Sequence, residues 1–139
     1  MSERIILHKN NKFEVSVWAQ DEESGEMAQV SVSHALNAYG LLLAGLGSCT
    51  TDILLVYAMN HGLDLKEVQV ELDYERDYKK DCENCEKLKE YREYITMELR
   101  FLGNLTAEQK QKLFQISRLC PIHKMLKSGV EVRSEMKKE

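Results

Sequence analysis

Apolar and polar residues alternate in two long stretches of this 139-residue chain. Val68, Val70, Leu72 and Tyr74 are separated by Gln69, Glu71 and Asp73, and Ile95, Met97, Leu99 and Phe101 by Thr96, Glu98 and Arg100. A period of two puts each apolar set on one face of a strand, which predicts sheet packed on one side, wet on the other and paired antiparallel. Two shorter runs, residues 5–8 and 13–19, flank the Asn10-Asn11 pair and predict a hairpin, with a third short strand over 28–33. The charged segment 77–94 lies between the two long strands and is predicted to be partly helical.

A different pattern separates these two groups of strands. From residue 38 to 61 the chain is apolar nearly all round, with Leu41, Leu42, Leu43, Leu46, Ile53, Leu54, Leu55, Val56, Tyr57 and Met59 covering every direction. This predicts a long buried helix, stopped by Gly62 as its C′ residue. Thr106-Ala107-Glu108-Gln109 has the form of a capping box opening a second helix, on which Leu113, Ile116 and Cys120 share a face. Pro121 must break and restart that helix, because it lacks an N–H and clashes with the preceding turn. Gly129 ends the restarted piece, and residues 130–136 are predicted to form a last strand. The fold class is therefore α+β. One half-wet sheet and a short helix cannot cover all sides of the long helix, so an intertwined homodimer is expected.

The length suits one domain spanning 1–139. With 19 Lys+Arg against 23 Asp+Glu, and no dense basic stretch, the chain is not expected to bind nucleic acid. Arg76, Lys79 and Lys80 are interleaved with acids and are expected on a solvated face. The first ten residues lack a secretory pattern, and four cysteines without an export signal point to a reducing, cytoplasmic setting. Residues 39–59 carry no Lys or Arg and are long enough to cross a bilayer. Their centre nevertheless holds Gly45, Gly47, Ser48, Cys49, Thr50, Thr51 and Asp52, polar groups costly in lipid, so no membrane partner is expected.

The cysteines carry the candidate chemistry. Cys49 sits mid-helix among small residues, either as a small buried hydrophobe or as a thiol with space beside it. Pro121 suits the first position of a restarted helix, which puts Cys120 near an N-cap where free N–H groups favour a thiolate. His123, three residues on, is placed to add a donor. Cys82-Glu83-Asn84-Cys85 reads as an accessory disulfide or half of a zinc site, and its crowding acids oppose nucleophilicity. Asp52, three residues after Cys49, is expected as a buried polar group bonded to backbone or to the other subunit. His8, His34 and His61 form no metal spacing.

Two motifs together resemble the OsmC/Ohr family. The run from Leu41 through Leu42, Leu43 and Ala44 to Ser48-Cys49 is similar to its cysteine helix, and Cys120-Pro121-Ile122-His123-Lys124-Met125-Leu126 to its second motif. Asp81-Cys82-Glu83-Asn84-Cys85 resembles the D-C-x-x-C insertion of one subgroup. The resemblance implies an OsmC-like intertwined homodimer, with antiparallel sheets wrapped around two central helices and sites at the interface. It further implies thiol-dependent reduction of organic hydroperoxides, with Cys49 peroxidatic, Cys120 resolving, an external dithiol as reductant, and neither cofactor nor metal. One departure stands out: Gly40 occupies the position of the family's glutamate, and Arg4, the only arginine before it, does not match the glutamate's arginine partner. Arg118 and His123 are the cations available instead. The departure favours a second reading, a non-peroxidase redox or ligand-binding module. A zinc-binding interaction module built on Cys82 and Cys85 is a third.

Overall fold

A computed structural model of the protein describes residues 3–10, 12, 14–31, 36–78 and 91–138. The chain divides into two compact units, residues 1–37 and 38–139.

The first unit is an antiparallel three-stranded sheet of β1 (Ile5–Lys9), β2 (Val15–Gln20) and β3 (Met27–Val30), in that order. The Asn10 carboxamide oxygen accepts hydrogen bonds from the N–H groups of Lys12 (2.9 Å) and Glu14 (3.0 Å), closing the β1–β2 connection. A short polar side chain that mimics a backbone acceptor is the reason asparagine suits such turns. The predicted hairpin and third strand are both present; β3 ends at Val30, and residues 32–35 lie outside the described part.

The second unit is built on α1 (Ala38–Asn60), followed by β4 (Leu65–Tyr78), β5 (Tyr91–Gly103), α2 (Ala107–Ser117) and α3 (Pro121–Ser128). Strands β4 and β5 pair antiparallel, with Val68 opposite Phe101, Val70 opposite Leu99, Leu72 opposite Met97 and Tyr74 opposite Ile95. These apolar residues are half-buried while Gln69, Glu71, Asp73, Thr96, Glu98 and Arg100 between them are exposed, as the alternation requires. Both strands reach further than expected. Residues 77–78 and 91–94, predicted partly helical, belong to the ladder, and 79–90 lie outside the described residues. Backbone pairing from a long, well-registered ladder outweighs the weak helical preference of a charged stretch.

Helix α1 packs against β4, α2 and α3. Leu46, Gly47, Thr50, Leu54 and Ala58 form its buried face. A Cβ on Gly47 would come within 2.8 Å of Leu72 Cδ1, so glycine lets helix and sheet approach closely here. Gly62 ends the helix with a φ of +64°, the left-handed conformation the sequence asks of it. By length and composition α1 could cross a membrane; in this fold it is the helix around which the second unit's core is assembled. Leu54 is fully buried, so Leu54→Ala should cost about 2–5 kcal/mol of stability through lost contacts and a residual cavity, measurable by urea denaturation.

The Thr106 hydroxyl accepts from Gln109 N–H and the Gln109 side chain accepts from Thr106 N–H, so the expected capping box opens α2. Two expectations for the C-terminal third need correction. Helix α2 ends at Ser117 rather than reaching Cys120, because the break needed before Pro121 takes up a full turn. Residues 130–136 form no strand; Val132 and Met136 are 81% and 96% exposed, and the stretch pairs with neither β4 nor β5.

Candidate active site: a facing cysteine pair

Helix α1 and the start of α3 bring Cys49 and Cys120 together. Their Sγ atoms are 2.6 Å apart although 71 residues separate them. Both are free thiols; Cys120 is fully buried and Cys49 half-buried. Cys120 is the N-cap of α3 with Pro121 at the first helical position, because proline's fixed φ suits a helix start and its missing N–H is not needed there. The sulfur makes no regular capping bond, yet it lies close enough to the N–H groups of His123 and Ile122 to feel their dipoles.

The two thiols are consequently unequal. Burial pushes Cys120 up, but Cys49, the His123 and Ile122 amides and the Thr50 hydroxyl together outweigh it and hold the thiol below its ordinary value. Burial, the contact with Cys120 and the nearby charge of Asp52 push Cys49 up, against the Ile122 amide, which favours its thiolate. When the pair gives up its first proton, the charge is therefore favoured on Cys120. Reduced protein should show one thiolate in its ultraviolet absorbance below the pH at which free cysteine ionises. Cys120→Ser should remove that early step and leave only a late one.

A cleft of about 610 Å³ lies along one flank of α1. Tyr39, Leu42 and Leu46, at i, i+3 and i+7, line it, and Cys49 continues the same flank at i+10. Met97 and Ile95 from β5 and Leu126 from α3 add apolar wall, while Arg118, His123 and Lys127 bring cationic or titratable groups. At the other end a polar cluster closes the wall. Arg76 donates to Tyr39 Oη (3.0 Å) and Tyr74 Oη (3.0 and 3.1 Å), Tyr74 donates to Glu93 Oε1 (2.5 Å), and Arg76 and Glu93 form a 3.6 Å ion pair. The Tyr39 and Tyr74 rings stack at 4.7 Å.

Most sequence-derived candidates fall here. His123 acts on Cys120 through its backbone N–H, and its side chain lines the cleft beside Arg118. Asp52 is exposed within the single chain, on the helix face opposite the core. Arg76, expected on a solvated face, is engaged by two tyrosines and a glutamate. Its partners are 37, 2 and 17 positions away, and alternation in a charged strand carries no signal for such a cluster. Cys82, Cys85 and His34 lie outside the described residues. Among the described residues, no three His, Cys, Asp or Glu side chains gather as a metal site would require.

A long core helix packed on an antiparallel ladder, with two reduced cysteines facing each other at a helix start, defines an α+β dithiol protein. The sequence model of the OsmC-like protein family matches residues 31–135, and the chain belongs to that family. Solved structures of similar fold include the OsmC-like protein of Mycoplasma pneumoniae (TM-score 0.62, 14% identity, covering 91% of this chain and 88% of the other). An OsmC-like hydroperoxide resistance protein from Jannaschia sp. CCS1 is also similar (0.57, 16%, 89% and 83%). So is the organic hydroperoxide resistance protein OhrB of Bacillus subtilis (0.51, 17%, 99% and 98%). No curated protein matches the chain. The family is one of redox proteins, and its α+β fold is the one found here.

Proposed function

We propose that this protein is a cysteine peroxidase of the OsmC type that reduces organic hydroperoxides, with Cys49 peroxidatic and Cys120 resolving. The observation that carries the reading is the 2.6 Å approach of the two sulfurs, one of them at a helix start. Cys49 Sγ attacks the peroxide, an S–O bond forms as the O–O bond breaks, and the departing alkoxide leaves as alcohol. Cys120 supplies what Gly40 cannot. Its thiolate accepts the Cys49 proton as the attack proceeds and passes it to the leaving oxygen. The same thiolate then attacks the Cys49 sulfenic acid, forming the Cys49–Cys120 disulfide as the S–O bond breaks, and the departing hydroxide takes a proton from solvent to leave as water. An external dithiol returns the pair to the reduced state.

The chain is read as a single OsmC-like domain over 1–139, cytoplasmic, active as a homodimer, and belonging to the subgroup with the D-C-x-x-C insertion. Mass spectrometry of reduced protein before and after one equivalent of cumene hydroperoxide tests the activity. Rapid loss of two hydrogens with a mapped Cys49–Cys120 link is expected.

A second reading, a redox module that does not turn over peroxides, is favoured by the upward-shifted Cys49 thiol and by Gly40. An unchanged mass after minutes with several hydroperoxides would select it.

A further inference from the structure

We infer that the dithiol which resets the oxidised pair attacks Cys49 and expels Cys120, so that the covalent intermediate between protein and reductant is a mixed disulfide on Cys49. The inference rests on the reading that these two cysteines cycle through a disulfide, and concerns which sulfur receives the incoming thiolate. Thiol–disulfide exchange is an in-line displacement whose rate depends on access to the attacked sulfur and on how well the leaving sulfur carries charge.

Both requirements select the same atom. Cys120 is fully buried, whereas Cys49 is half-buried and continues the helix flank formed by Tyr39, Leu42 and Leu46 along the cleft. Of the two sulfurs, an incoming thiolate therefore finds access at Cys49, the residue that is not closed off from solvent. The leaving charge also has a prepared place on Cys120, the N-cap of α3, where the Ile122 and His123 N–H groups and the Thr50 hydroxyl favour an anion. Charge leaving on Cys49 would have the Ile122 amide alone in its favour, and would develop mid-helix, where most N–H groups are already bonded within α1, and near the Asp52 carboxylate.

The step balances without any further reagent. The reductant's thiolate forms a bond to Cys49 Sγ, the Sγ–Sγ bond breaks, and its electron pair stays on Cys120. The reductant's second thiol then attacks its own bonded sulfur and releases Cys49, which takes up a proton. The dithiol has lost two electrons to the protein and become a disulfide.

The pair is first oxidised with diamide, which requires no peroxide turnover, so the result is independent of the proposed peroxidase activity. The oxidised protein is then exposed briefly to limiting 2-mercaptoethanol, quenched with N-ethylmaleimide and mapped by peptide mass. The expected result is the mercaptoethanol adduct on Cys49 and the maleimide on Cys120, favoured at least about tenfold over the reverse. An even split, an adduct chiefly on Cys120, or no Cys49–Cys120 link after diamide would overturn the inference. Peroxide turnover measured on the same preparation reports separately on the proposed function.

Discussion

Cys49→Ser should lower kcat/KM for cumene hydroperoxide by at least about a thousandfold, because a hydroxyl at that position cannot act as the nucleophile. Cys120→Ser should behave differently. It keeps the attacking sulfur but loses both the proton acceptor and the resolving thiol, so about one equivalent of peroxide should be consumed slowly and the protein should stop as a Cys49 sulfenic acid. Dimedone labelling of Cys49 in this variant, and its absence in Cys49→Ser, would separate the two roles. Equal turnover by wild type and Cys49→Ser would remove the mechanism altogether.

The second large effect concerns assembly. Leu41, Gly45, Ser48, Asp52, Leu55, Val56 and Met59 fall on one stripe of α1 at helical spacing, and all are exposed. This stripe is opposite the face that packs on β4, α2 and α3. Among the described residues a Cβ on Gly45 would meet nothing within 4 Å, so none of them accounts for a residue that costs a helix interior about 1 kcal/mol relative to alanine. Close approach by a second copy of the helix would account for it, as would the apolar residues beside it. The wild-type protein should sediment as a dimer at micromolar concentration. Val56→Asp and Gly45→Leu should each weaken that dimer by at least about thirtyfold, or about 2 kcal/mol. A stable, folded wild-type monomer would remove the proposed homodimer.

Much of this architecture was legible because its signals are local. The alternation in β4 and β5, the Thr106 capping box, the glycine after α1 and the Cys120-Pro121 restart each report a conformation through neighbouring residues. Cys49 and Cys120 were nominated by their surroundings and by a pair of motifs, but their meeting across 71 positions is a tertiary fact. The inequality of the two thiols was only half visible. The sequence pointed to a helix-start thiolate at Cys120, whereas the burden of burial and of Asp52 on Cys49 depends on packing. The Tyr39–Tyr74–Arg76–Glu93 cluster was missed because its members come from a helix and two strands. The strand expected over 130–136 needs a partner that no local pattern names, and the stretch joins neither β4 nor β5.

The position of the two cysteines also makes the fold's thermal resistance depend on its oxidation state. A link between Cys49 and Cys120 ties the core helix to the start of α3 across 71 positions, and closing a loop of that size removes disorder from the unfolded chain equivalent to about 4 kcal/mol. Oxidation simultaneously discharges the thiolate at the head of α3 and forfeits its favourable interaction with the helix, about 0.3–1 kcal/mol. The first effect is the larger, so the oxidised protein should melt roughly ten degrees above the reduced one. A melting curve would then double as a gauge of how much of the protein is oxidised. Exposure to oxidant would harden the second unit, leaving the reduced protein as the more easily unfolded form.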